Sequence, residues 1–256
     1  INTNLGFFKG IQMTNKEFYG GELKSLSYLE FGSIDLSNSN SKLLVIVANK
    51  KGAISASKFD KINYLGYPFS ISENFQMRNT NKTITDSENE LAEILCIAEK
   101  ANKKVVVYLS MCFGNPYGDP WNLDIVNKWV QKLSEMGVKI ISLSDTIGTS
   151  NPESIKSIFN SVLKNHNEIE FGAHLHSDPN TWHEKIQSAY ESGCRRFDGA
   201  IKGFGGCPMA SNELVGNMPT EKILSYLNTK KISNNVNTLR FESCYNQSLE
   251  IFNKYH

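Results

Sequence analysis

From Lys42 onward the chain switches repeatedly between two kinds of hydrophobic pattern, and this alternation restricts its fold more than any other feature. Six short runs, KLLVIVAN, INYLGYPFS, KKVVVYLSM, KIISLSDT, IEFGAHLH and CRRFDGAIKG, are rich in β-branched and aromatic residues. Several are almost continuously apolar, as strands covered on both faces are. Between them lie helical patterns. TDSENELAEILCIAEKAN puts Leu91, Ile94, Leu95 and Ala98 on one face, with Thr85 or Asp86 as its expected N-cap. DPWNLDIVNKWVQKLSEMG is expected to end at Gly137, and NPESIKSIFNSVLKNH to begin with Asn151 as cap and Pro152 at the first helical position. DPNTWHEKIQSAYESG and PTEKILSYLNTKK complete the series.

Strand and helix in regular alternation predict a parallel sheet covered by helices. TNLGFF and SYLEFGS, in the first forty residues, supply two further candidate strands. Eight units would close into an α/β (β/α)8 TIM barrel. The alternative is a doubly wound open sheet, whose dinucleotide-binding form is weakened by the lack of a G-x-G-x-x-G turn after a first strand. No linker or composition shift divides the chain, so residues 1–256 read as one catalytic domain.

Charge and cysteine usage narrow the function classes. A formal net charge of +1 gives no electrostatic case for a nucleic acid or membrane partner. The five cysteines are scattered and form no C-x-x-C pair, which argues against disulfides and structural zinc and leaves cytoplasmic as the expected location.

Polar residues gather where strands end, which in a parallel barrel is the chemical edge. ISLSDTIG brings Ser142, Ser144, Asp145 and Thr146; VYLSMCFGNPYGDP brings Asn115 and Tyr117; FGAHLHSDP brings His174 and His176. On a strand the two histidines share a face and Leu175 takes the other, an arrangement that suits a metal ion, although His-x-His also occurs without one. Asp145 serves either chemistry or a turn before the helix at Asn151. Cys207 follows Gly203, Gly205 and Gly206, so a thiol on a glycine-rich loop is a candidate acid or base, its alternative being a small buried hydrophobe. The other four cysteines read as structural. Arg195 and Arg196 read as salt-bridging at a strand start.

SLSDTIG, FGAHLHS, GFGGCPMA and VGNMPTEK, in that order and spacing, resemble the 3-hydroxy-3-methylglutaryl-CoA lyase family of metal-dependent TIM-barrel lyases. VANKKGA, NYLGYPFSISENFQMRNTNKT and SMCFGNPYGDP are similar to the family's third, fourth and fifth units, so the resemblance runs from about Ser41 to the end. It implies a divalent cation, Mg²⁺ or Mn²⁺, held by His174, His176 and Asn217 with a first-strand carboxylate. It implies an acyl-CoA substrate, a homodimer, and cleavage of 3-hydroxy-3-methylglutaryl-CoA to acetyl-CoA and acetoacetate. Cys207 matches the catalytic cysteine, His174 and Asp145 fall among the catalytic residues, Ser142 and Glu30 match substrate-side positions, and Glu221 matches an acid supporting Asn217.

The first forty residues depart from that pattern. The family's first strand ends in Arg-Asp followed by glutamine; here only Gln12 echoes it, and the first arginine is Arg78. After Ser33 there is no room for a second helix before KLLVIVAN. Segments missing from the first two units explain this better than a protein that has lost them, because a barrel without its second helix would expose apolar surface. The alternatives to lyase activity are a catalytically silent barrel that binds a metal or acyl-CoA, and a related aldolase or synthase with another hydroxyacyl substrate.

Overall fold

The computed structural model describes residues 41–205 and 215–252, with the backbone of 9–11. The strand candidates at 3–8 and 27–33, Gln12, Glu30 and Cys207 lie outside the described residues.

Seven strands form one sheet: β1 (Lys9–Ile11), β2 (Leu43–Ile46), β3 (Ile62–Ser70), β4 (Lys104–Ser110), β5 (Ile140–Ser144), β6 (Glu170–His174) and β7 (Arg196–Phe197). Every neighbouring pair is parallel, and the spatial order is the chain order. A doubly wound sheet reverses its order at a switch point. None is present among these strands, so the architecture is that of a (β/α) barrel. β2–β7 are the six runs expected from sequence, although the last shrinks to two residues.

The helices are α1 (Lys50–Ser57), α2 (Glu73–Thr80), α3 (Ile84–Lys100), α4 (Leu123–Glu135), α5 (Pro152–Asn165), α6 (Trp182–Glu191), α7 (Thr220–Thr229) and α8 (Thr238–Phe252). Five of them start on a polar side chain that accepts a free N–H of the first turn: Asn49, Ser72, Thr83, Asn122 and Asn151. Asn151 with Pro152 caps α5 as expected. The α3 expectation needs correction. Its cap is Thr83, and Asp86 stands three residues inside, returning its carboxylate to the Thr83 N–H in a capping box. Among the described helices, none is long and apolar enough to cross a membrane.

Period-two alternation divides the sheet into two faces. One face packs Val45, Leu65, Val107, Ile141, Phe171 and Phe197 into the main core, together with Leu91 and Ile94 of α3, Val126 and Val130 of α4, and Ile158 and Phe159 of α5. The other face holds a smaller apolar cluster, Leu44, Val106 and Ile140, against Ile46, Tyr64 and Tyr108. Along β4–β7 this second face then turns polar. One register row reads Tyr108, Ser142, Gly172, Arg196, and two residues further toward the carboxyl edge come Ser144, His174 and Asp198. The sheet thus places its polar side chains at the edge that ends the strands.

Candidate functional site

His174 is the last residue of β6, and its Nδ1 lies 3.2 Å from Asp198 Oδ2. Asp198, just past β7, also accepts from Ser142 Oγ at 2.7 Å. Burial raises the Asp198 carboxyl, but the Arg196 charge and the hydrogen bonds from His174 and Ser142 outweigh it, so its pKa falls below the usual carboxylate value. An ionised Asp198 fixes the proton of His174 on Nδ1 and leaves Nε2 as a bare donor atom, the tautomer that metal-ligating histidines need. The His174 side chain is 31% exposed, so the ring reaches the open end of the sheet.

His176 stands beside it, the ring centroids 5.6 Å apart, while Leu175 between them is buried in the main core. Sequence alternation therefore holds beyond the end of β6. Residues 215–218 run back along this segment: Ser177 N–H bonds the Gly216 carbonyl, Met218 N–H bonds the Leu175 carbonyl, and His176 and Asn217 face each other in an antiparallel bridge. That pairing brings Asn217 to the histidines. Its Nδ2 donates to the Phe204 carbonyl at 2.9 Å, leaving Oδ1 as the acceptor end of the amide. Its backbone N–H bonds the Gly203 carbonyl. Gly203 has φ +68, and a Cβ there would stand 2.6 Å from the Asn217 carbonyl oxygen, so only glycine allows this approach.

The imidazole of His176 is buried, and its Nδ1 has no hydrogen-bond partner. Burial, with the neighbouring His174, pushes its pKa down to about 4, so the ring is neutral at physiological pH. A buried, neutral imidazole with one orphaned nitrogen is costly unless an electrophile takes the lone pair. Two imidazoles and an amide oxygen fit a divalent cation with open coordination positions. Among the described residues, no three His, Cys, Asp or Glu side chains converge on a metal position, so the set here is two imidazoles and an amide.

The other expected site residues have different surroundings. Asp145 is fully buried: one oxygen accepts from Ser150 N–H, the other from Ser150 Oγ and, at 2.9 Å, from Lys185 Nζ. It holds the β5–α5 turn and does not present a free acid. Ser142 is also fully buried and faces Asp198. Glu221, in the first turn of α7, accepts from Lys202 N–H at 3.0 Å and so braces the 3₁₀ turn Ile201–Gly203, reaching Asn217 only through the Gly203 carbonyl. Asn115 closes its own loop through Tyr117 N–H, Asp119 N–H and the Asp119 carbonyl.

Sequence reading missed Asp198 and Lys185. Lys185 is buried on α6 and donates to Asp145, the Gly148 carbonyl and the His176 carbonyl, tying the ends of β5 and β6 together. Arg196 does pair across the strand start, lying 3.8 Å from both Glu170 and Asp198, whereas Arg195 caps the Tyr190 and Cys194 carbonyls over the Tyr190 ring. Cys112 and Cys194 are buried, and burial drives both thiols up to about 12, as inert cysteines.

The chain is 32% identical over 191 residues to the hydroxymethylglutaryl-CoA lyase of Bacillus subtilis (75% of this chain, 63% of the relative). It is 34% identical over 169 residues to the cytoplasmic 3-hydroxy-3-methylglutaryl-CoA lyase of Homo sapiens (65% and 45%). It thus spans roughly half to under two thirds of these relatives' lengths. The crystal structure of the Bacillus subtilis HMG-CoA lyase superposes with a TM-score of 0.77 at 29% identity, over 83% of this chain and 71% of that one. An HMG-CoA lyase from Acinetobacter baumannii in complex with coenzyme A and 3-methylmalate gives 0.71 at 27%, over 78% and 65%. The HMGL-like family model matches residues 37–247, and the chain belongs to that family.

Proposed function

We propose that the protein is a divalent-metal-dependent carbon–carbon lyase that cleaves 3-hydroxy-3-methylglutaryl-CoA to acetyl-CoA and acetoacetate. The observation that carries this reading is the paired histidine geometry: His174 oriented by Asp198, and the orphaned Nδ1 of His176 beside it. Family membership and a structural neighbour that binds coenzyme A support the substrate class. The same reading takes residues 1–256 as one catalytic domain, in keeping with a main core that runs from Val45 to Leu227.

His174, His176 and Asn217 would hold the ion, Mg²⁺ or Mn²⁺. Bound there, it would act as a Lewis acid toward the substrate's tertiary hydroxyl and a neighbouring oxygen. In the cleavage the hydroxyl proton is lost, its oxygen becomes the ketone of acetoacetate, and the electron pair of the broken bond passes to the acetyl-CoA carbon, which takes a proton. Cys207 is assigned the delivery of that proton. Lys185 and Asp145 hold the two strand ends in place, Ser142 steadies Asp198, and Glu221 braces the turn beneath Asn217. None of these four needs to touch substrate.

The test is turnover of 3-hydroxy-3-methylglutaryl-CoA by the purified chain with Mg²⁺ or Mn²⁺. Equal amounts of acetyl-CoA and acetoacetate are expected, with none after chelation. Cys207→Ala should lower kcat by orders of magnitude while sparing Mn²⁺ uptake. One feature favours a second reading, a silent barrel that binds metal or acyl-CoA: the first forty residues hold no arginine. A folded chain that takes up Mn²⁺ and turns over nothing would establish it.

A further inference from the structure

A buried arginine lies directly beneath the histidine site. Arg196 is 2% exposed and shares a register row with Gly172, Ser142 and Tyr108 on the polar face of the sheet. A Cβ on Gly172 would stand 3.2 Å from Arg196 Cγ, from Arg196 Nη1 and from Ser142 Oγ. The arginine side chain therefore lies flat across the space that a side chain at 172 would fill. Its Nη2 is 3.8 Å from Asp198 Oδ1, its Nε is 3.8 Å from Glu170 Oε1, and its charge acts on the buried Tyr108 hydroxyl. Tyr108 in turn meets the His174 ring edge-on at 5.4 Å.

We propose that Arg196, given room by Gly172, is a positioning residue that holds the Asp198 carboxylate in the orientation that receives His174. The two oxygens of Asp198 have separate duties. Oδ1 faces the guanidinium, and Oδ2 accepts from Ser142 and His174. A charge this deeply buried is expensive unless it is paired, and Arg196 meets Asp198 as an ion pair at 3.8 Å, longer than a hydrogen bond. The guanidinium charge on the Oδ1 side favours the carboxylate orientation that keeps Oδ2 at Nδ1. Nε2 then remains bare toward the site. Without the guanidinium only the Ser142 hydroxyl still orients the carboxylate toward His174, so Nδ1 is selected less firmly over Nε2 as the protonated nitrogen.

This inference rests on the proposed lyase reading for its consequence in turnover, but it has its own readout. The tautomer of His174 is read by nitrogen-15 NMR of the histidine-labelled chain without metal, and Mn²⁺ uptake is measured separately on the same protein. Wild type should show His174 protonated on Nδ1. Arg196→Met should give a mixture of tautomers and weaken Mn²⁺ binding about tenfold, the lower end of what loss of such a supporting group costs. It should lower kcat with little change in KM. Arg196→Lys, which keeps the charge but loses the planar fork, should recover part of each. Gly172→Ala keeps the arginine and displaces it, so it should shift the tautomer in the same direction, and it decides the matter if Arg196→Met does not fold. A wild-type His174 protonated on Nε2, or an unchanged tautomer in the folded variants, overturns the proposal. Wild type that takes up no Mn²⁺ sinks the lyase reading instead, and the tautomer comparison still decides the role of Arg196.

Discussion

Neighbouring residues on β5–β7 belong to two regions with opposite demands. Ile141, Leu143, Phe171, Ala173 and Phe197 face the helices and are packed into the main core. Ser142, Ser144, Gly172, His174, Arg196 and Asp198, interleaved with them, face the other way and are polar or lack a side chain. Strand geometry makes this division at every second residue. The apolar face supplies burial, and the polar face, relieved of packing, carries unpaired donor atoms and buried charges. Stability and chemistry on these strands should therefore separate by parity, which substitution can test.

The largest effect is expected on the polar side. His176→Ala removes the ring whose Nδ1 has no hydrogen-bond partner, so Mn²⁺ binding and lyase turnover should both fall by orders of magnitude, with little change in the melting temperature. A large loss of stability instead would mean that His176 is packing, and the division by parity would fail. Lys185→Met comes next and breaks the division on purpose. Lys185 lies on α6 yet reaches Asp145 and the His176 carbonyl, so its loss leaves a buried carboxylate unpaired. About 3–5 kcal/mol of stability should go, together with metal affinity, read by denaturant melts and Mn²⁺ titration. Leu143→Ala probes the apolar face. Leu143 is fully buried between two inward serines, and its truncation should cost about 2–5 kcal/mol while turnover per folded molecule stays unchanged.

These residues also show what the sequence discloses and what it withholds. β2–β5 are legible because each is a short run rich in β-branched or aromatic residues buried on at least one face, β6 and β7 because they continue the strand–helix alternation, and the histidine pair because period two puts both rings on one side. Asn217 is reached through the family resemblance, and nothing in its local sequence marks the bridge to His176. Asp198 stays hidden because an acid after two arginines reads as surface charge. The available signal is its place two residues beyond Arg196, on the same face at a strand's end. Lys185 gives less warning, since WHEKIQ reads as an ordinary helix start and only the packing of α6 shows where the ammonium goes. α1 and α2 pass unnoticed for another reason: ENFQMRNT carries no apolar stripe, and its helix is fixed by the Ser72 cap and by Gln76 bonding back to Ser70 N–H.

The smallest effect is also the most discriminating. Asn151 caps α5 through Ser154 N–H at 2.8 Å and stands next to Ser150, which binds Asp145. Asn151→Ala should cost about 1 kcal/mol, the usual loss for a cap, seen as a small drop in the denaturant midpoint. Ser150 keeps its own two bonds to the carboxylate, and Lys185 holds that carboxylate from the opposite side, so kcat and Mn²⁺ affinity should not move. If they do, the helix cap and the site are mechanically one unit. The polar face would then depend on the helices as directly as the apolar face does.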